Sequence, residues 1–375
     1  MLGLVVTASS GASEARSDVD HAPSVVTAPL AGSVANSTTT WATVAMGKNN
    51  GQFDLFSELF SLDTATGRFA LVTPPGVASN GGLMVAQAGV GPSALIGFGV
   101  SQDLEFSPLA LSTNDGRTWN PGGLAQGLDA VPSAVGFNEQ GDALALVGRA
   151  TQAVLERAGG LTDWKTDVSR ATLAGTAVGR RCDVGSLEAV AVASDGSPVV
   201  GASCSERAVP GIFVRAGASW HLATVPVPDA LQGDAFSVLR LGPSSALLAA
   251  VGHSTSVVAA RQTGAAGRWL LSPALAIPRS GELLATGTGP GGRQFVVLRN
   301  GGTERAWVIG GPSATWHALA ALPNRTATIA FLPNGQVEAL SVDDTSLTVW
   351  RNGADGTGWA KVQAVTVPIA FGSSS

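Results

Sequence analysis

An all-β fold assembled from one repeated four-stranded unit is what this sequence predicts, and three observations predict it. The first is composition. The chain has 375 residues, with 48 Gly and 20 Pro, yet 45% are apolar and only 13% charged. That balance provides a large core and enough turn formers to cut it into short strands. The second is a period. An aromatic residue follows a turn at Phe69, Trp119, Trp164, Trp220, Trp269, Trp316 and Trp359, at spacings of 43 to 56 residues. Periods of roughly 40–50 residues belong to the four-stranded blades of β-propellers. The third is a shared grammar within each period. In 235–275, four apolar runs (235–241, 246–251, 255–261 and 269–273) are separated by turns such as Gly242-Pro243-Ser244-Ser245. Apolar runs bounded by Gly, Pro and Ser are the signature of hairpins. The same order recurs in 187–225 and 328–365, with turns at Asp195-Gly196-Ser197 and Pro333-Asn334-Gly335.

Seven such units predict a seven-bladed propeller, with six or eight blades also compatible. Residues 41–375 form one domain in this reading. Residues 1–40 hold the remnant of a secretory signal followed by a linker or accessory strand. The first unit, beginning near Trp41, lacks its first strand. Either 23–35 or 366–372 could supply it and remove an open edge.

Ser112-Thr113-Asn114-Asp115-Gly116-Arg117-Thr118-Trp119 resembles the Asp-box, the BNR repeat of sialidase-like propellers, whose pattern is Ser-x-Asp-x-Gly-x-Thr-Trp. Here Asn114 stands at the Asp position and Asp115 follows it. Ser61–Phe69 and Asn352–Trp359 are looser copies. The resemblance implies a structural turn between third and fourth strands, on the face opposite the family's active site. Ser112, Asn114, Asp115, Gly116, Thr118 and Trp119 would build it, through polar side chains bonded to the turn backbone and an aromatic pin. Sialidases also use a Tyr nucleophile with a Glu partner, an Asp acid/base and three substrate-clamping Arg. This chain has no Tyr, and its nearest match to the family's Arg-Ile-Pro is the reversed Ile277-Pro278-Arg279. Sialidase activity is therefore not expected.

Other chemistry is constrained in the same way. The net charge is −5, with 19 Arg but only 3 Lys and no basic run, which argues against nucleic-acid binding. That skew, with abundant Ala, Gly and Val, has a bacterial look. No stretch of about 18 apolar residues is present to span a membrane. Gly287–Gly292 matches G-x-G-x-x-G, but a strand-like run follows where a dinucleotide fingerprint needs a helix, so a hairpin is expected. The two cysteines and His21, His221, His253 and His317 have no metal-ligand spacing, and no cofactor or metal is expected. Glycoside hydrolysis needs two carboxylates across a cleft. Asp103 with Glu105, Asp229 with Asp234, and Asp343 with Asp344 lie in expected loops and keep a carbohydrate-active enzyme open as the alternative.

The only cysteines, Cys182 and Cys204, flank a hairpin turning near Asp195-Gly196, which brings them within reach of a disulfide; two buried thiols are the other outcome. In propellers the loops joining one blade to the next share a face with the second-to-third strand loops, and that face is the default ligand site. The segment 166–186 is the longest such connection and carries Asp167, Arg170, Arg180, Arg181 and Asp183. Arg207, Arg279 and Arg325, with Glu206 and Arg293, are expected on the same face. Arg180, Arg181, Asp183, Arg207, Arg279 and Arg325 therefore form the candidate binding set. The expectation is a secreted or cell-envelope, monomeric, non-enzymatic propeller that binds a glycan or a protein partner.

Overall fold

A computed structural model describes residues 24–26, 34–35, 39–47, 56–63, 66–73, 83–87, 95–99, 109–121, 132–138, 140–148, 154–159, 164–206, 208–263, 268–289, 292–310, 315–324, 326–332, 334–343, 346–353 and 357–366. Among these residues the strands form seven antiparallel sheets, each built on four strands in sequential order, with a fifth short strand added in blades 1 and 5. Blade 1 contains Ser24–Val26, Thr39–Gly47, Phe56–Asp63 and Phe69–Leu71, and blade 2 contains Leu83–Gln87, Leu95–Gly99, Leu109–Ser112 and Asn120–Pro121. Blade 3 contains Ala134–Phe137, Asp142–Val147, Val154–Gly159 and Lys165–Ser169. Blade 4 contains Val184–Val192, Pro198–Cys204, Gly211–Ala216 and Ser219–Leu222. Blade 5 contains Ala235–Gly242, Ser245–Val251, Thr255–Thr263 and Arg268–Leu271. Blade 6 contains Gly281–Gly289, Arg293–Asn300, Thr303–Ile309 and His317–Ala318. Blade 7 contains Thr326–Phe331, Val337–Asp343, Ser346–Asn352 and Trp359–Thr366.

From blade 2 to blade 7 the first strands of successive blades touch one another, and Val34–Ala35 touches the first strands of both blade 2 and blade 7, so the ring closes into a seven-bladed β-propeller. The missing first strand of blade 1 comes from the N-terminal side: Ser24–Val26 pairs with Ala45–Gly47. Residues 367–372 lie outside the described residues. Blade 5 carries one strand that sequence reading did not anticipate, Leu275–Ile277, which pairs with Thr255–Val257.

The core lies between blades. Second strands are buried along nearly their whole length, as in Asp142–Val147 and Ser245–Val251. A strand sandwiched on both faces reads as a continuous apolar run, which explains LALV and ALLAAV. Leu144, Leu173, Val190 and Phe213 fill the seam of blades 3 and 4, while Val199, Phe236, Leu248 and Trp269 fill that of blades 4 and 5.

The repeated aromatic has a physical role. Each of the seven stands within one residue of the start of a fourth strand. Three of the indoles donate Nε1–H to a carbonyl just past the fourth strand of the preceding blade. Trp119 reaches Val72 O at 2.8 Å, Trp316 reaches Pro273 O at 2.9 Å and Trp359 reaches Ala320 O at 3.3 Å. At those three positions the period marks a blade-to-blade hydrogen bond made by a half-buried ring.

The turn at 112–119 closes as its residue types dictate. Ser112 Oγ accepts from the Gly116 N–H at 2.7 Å, and Asn114 Oδ1 accepts from the Thr118 N–H at 2.9 Å. Asp115 and Gly116 both take left-handed backbone, at φ 58° and 74°. A Cβ on Gly116 would stand 2.7 Å from the ring of Trp41, which packs edge-on against Trp119. Trp41 therefore falls outside the repeat series because it is the surface on which this turn rests. Turns between first and second strands use related chemistry. Asn138, Asp195 and Asn334 side chains accept from Asp142, Ser197 and Gln336 N–H, each beside a glycine at positive φ. The segment Gly287–Gly292 is such a hairpin, with Gly289 paired to Arg293.

Candidate functional site

The charged segment expected as a loop over 166–186 is built differently. Lys165–Ser169 is the fourth strand of blade 3, and two short helices follow, Arg170–Gly175 and Ala177–Cys182. The correction has a local cause. Ser169 caps the first helix by accepting from Thr172 N–H at 3.1 Å. Thr176 ends one helix and starts the next, donating its hydroxyl to Leu173 O at 2.7 Å and accepting from Gly179 N–H at 2.9 Å. Capping by Ser and Thr supplies partners for helix-end groups that would otherwise lack them. Gly179 is required, because a Cβ there would lie 2.0 Å from Leu173 O. Asp183 closes the second helix in left-handed backbone at φ 52°.

This helical ridge is fastened to blade 4 at several points. Cys182 and Cys204, both buried, form a disulfide with their Cα atoms 4.9 Å apart. Arg170 donates to Val184 O at 2.6 Å and to Gly185 O at 2.9 Å. Ser205 N–H donates to Asp183 O and Glu206 N–H to Cys182 O. Leu173 is wholly buried beneath the ridge. Arg180, Arg181 and Asp183 remain exposed on it, and Arg180 bonds back to Gly175 O.

Of the expected binding set, the structure thus brings Arg180, Arg181 and Asp183 together. Arg279 is exposed on the same face, two blade crossovers further round the ring. Arg207 and Arg325 lie outside the described residues. Arg293 does not belong to this face. It opens the second strand of blade 6, after the hairpin turn on the opposite side, where it bonds Gly335 O and stacks 4.7 Å from the Phe331 ring. Among the acids, Asp229 sits in a single 3₁₀ turn and Asp234 immediately precedes blade 5. Asp343 ends the second strand of blade 7, while Asp103, Glu105 and Asp344 lie outside the described residues. Among the described residues no group of three or more His, Cys, Asp or Glu could hold a metal ion. A cleft of about 670 Å³ on the outer rim between blades 4 and 5 is lined by Val214, His221, Thr224, Gln262, Arg268 and Trp269.

Two charged groups inside the ring were missed by sequence reading. Glu188 and Arg240 interrupt the apolar first strands of blades 4 and 5, in SLEAVAV and SVLRLG. In a chain this poor in charge, an ionisable residue inside such a run was the available signal. Glu188 Oε2 accepts from Val238 N–H at 2.5 Å, so its carboxyl ties the exposed inner edge of blade 5 to blade 4. Ser186 lies 3.4 Å from Oε1 and shares a hydrogen bond with Ser203 at 2.8 Å. Burial pushes the Glu188 carboxyl up from 4.5 to about 7, against the lowering pull of hydrogen bonds from Val238, Ser186 and Ser237.

This shift makes stability depend on pH. Below about pH 4.5 the group is protonated whether the chain is folded or not, and contributes no difference. Between 4.5 and about 7 the unfolded chain releases a proton that the folded one retains, so stability falls as pH rises through that window. Above it the penalty is complete, on the order of 2–3 kcal/mol. Glu188→Gln will therefore raise the melting temperature at pH 8 and leave it nearly unchanged at pH 4. Equal shifts at both pH values would contradict this placement of the carboxyl.

No protein-family model and no curated protein matches this sequence. Solved structures do resemble it. A protein provisionally named a 6-phosphogluconolactonase from Bacteroides uniformis aligns with a TM-score of 0.53 at 13% identity, over 88% of this chain and 97% of that one. A protein from Lactobacillus plantarum aligns at 0.51 and 12% identity, over 88% and 97%. A second provisionally named 6-phosphogluconolactonase, from Bacteroides fragilis, aligns at 0.50 and 12% identity, over 88% and 96%. At such identities the likeness establishes architecture alone: the chain has the fold of a β-propeller.

Proposed function

We propose that this propeller is a non-enzymatic binding module that works in an oxidising compartment outside the cytoplasm. Its ligand surface is the face carrying the blade-to-blade crossovers, and its ligand is an anionic glycan or an acidic protein segment. One observation carries the reading. The helical ridge is capped at both helices, hydrogen-bonded to blade 4 and stapled by Cys182–Cys204, yet it presents Arg180 and Arg181 to solvent. Guanidinium groups on a rigid base bind carboxylates and sulfates with little ordering cost. The disulfide supports the oxidising location. The hydrogen bonding of the 112–119 turn supports kinship with Asp-box propellers, whose corresponding turn is structural.

The test is a glycan array followed by titration of the best ligand. Arg180→Ala with Arg181→Ala should weaken binding about tenfold or more, since hydrogen bonds to charged groups contribute about 1.5–3 kcal/mol. The melting temperature should barely move, because both side chains are exposed. Unchanged affinity in the double variant would remove the ridge from the site.

One observation favours a second reading. Glu188, with its carboxyl near 7, is suited to general acid–base work at neutral pH. The fold is shared with proteins provisionally named 6-phosphogluconolactonases. Turnover of a sugar lactone that disappears in Glu188→Gln would establish that alternative.

A further inference from the structure

Arg240 is ringed by protein, which pushes its guanidinium pKa down, yet much of its surface is open. Both statements hold for a side chain facing the lumen of the ring. The first strand of blade 5 shifts register between Val238 and Arg240. That bulge leaves Leu239 packed on the seam with blade 6 and re-aims the next residue. Arg240 Nε donates to Thr286 O, on the first strand of blade 6, at 3.3 Å. Among the described residues no acid contributes to its electrostatic environment, and burial sets the direction of its pKa.

Other arginines here are compensated. Arg215 pairs with Asp167, Arg351 with the buried Glu338, and Arg299 with Glu282 and Glu304. Arg293 stacks on Phe331 and bonds Gly335 O. Among the described residues Arg240 has one carbonyl partner and no counter-ion, so a cation ringed by protein and open to the lumen is placed to take an anion.

We propose that the central channel holds an oxyanion site at Arg240, and that its ligand is a small hydroxylated carboxylate or phosphate. The hydroxyl preference follows from the neighbours. Val238, whose N–H holds Glu188, is two residues up the same strand, about 7 Å along the channel wall at roughly 3.3 Å per residue. Ser186 and Ser237 hydrogen-bond that carboxyl, and Ser203 bonds Ser186. A ligand of about six carbons would place its anionic end on Arg240 and its hydroxyls against Glu188 and the serines. This site is separate from the ridge and does not depend on it.

Isothermal titration of the full chain with gluconate, inorganic phosphate and neutral glucose tests the proposal. Gluconate, phosphate or both should bind at one site per chain and glucose should not. Arg240→Met should weaken that binding about tenfold or more. Arg180→Ala with Arg181→Ala should leave it intact, which separates this site from the ridge. A second readout needs no variant. At constant ionic strength, phosphate should raise the wild-type melting temperature relative to chloride, as a ligand of the folded state does. Gluconate preferred over phosphate would identify a carboxylate ligand, and the reverse a phosphate. Absence of binding by both anions, or binding that survives Arg240→Met, would overturn the proposal.

Discussion

Replacing Cys182 and Cys204 by serine will lower the stability of the chain by about 3 kcal/mol, as cross-linking across a loop of this size predicts. The two residues are 22 apart in sequence. The loss will be concentrated in the ridge, because the disulfide fastens its second helix to the second strand of blade 4. Without it, six-residue helices have little intrinsic stability. Denaturant unfolding should show a lower midpoint, and amide exchange should quicken at 170–183 more than in blades 5 to 7. Affinity for the ridge's ligand should fall with it. A double variant as stable as wild type, with unchanged exchange at 170–183, would mean that the hydrogen bonds of Arg170, Ser205 and Glu206 hold the ridge alone.

A comparable effect is expected far from any ligand. Gly136 lies on the first strand of blade 3, and a Cβ there would stand 2.6 Å from the Cα of Ala191 in blade 4. Backbone cannot swing aside as a side chain can. Gly136→Val will therefore pry the two blades apart, at a cost of roughly 3 kcal/mol. Gly175→Ala is the matched control. It has nothing within 4 Å of the new methyl group and sits in a helix, where alanine is preferred. It should be neutral or stabilising by up to about 1 kcal/mol. If both variants unfold at the same denaturant concentration, blades 3 and 4 do not approach as closely as described.

The features legible in the sequence were those with a local physical cause. The aromatic period was visible because each blade needs a pin at the start of its fourth strand, and three of those indoles bond the preceding blade. The run ALLAAV read as a strand because burial on both faces removes the need for polar residues. The cysteine pair was legible because a hairpin returns the chain to its starting end.

The ridge was not legible as helix. Six-residue helices are too short to show a 3.6-residue period, and only the caps Ser169 and Thr176 announced them. Arg293 was assigned to the wrong face because the hairpin between first and second strands turns on the side opposite the crossovers. Glu188 and Arg240 passed as ordinary strand residues, since a lone charge in an apolar run marks an unusual position but not which way its side chain faces. Bulges make that assignment, and a bulge depends on the register with the neighbouring strand.

Binding without catalysis is the central claim, and one measurement tests it most directly. The chain is screened against a glycan array, and the same polysaccharides and sugar lactones are incubated with it and analysed for products. Saturable binding with every substrate recovered intact, lost in Arg180→Ala with Arg181→Ala, is the predicted result. Released product that vanishes in Glu188→Gln would contradict it and make the channel carboxyl a catalytic group.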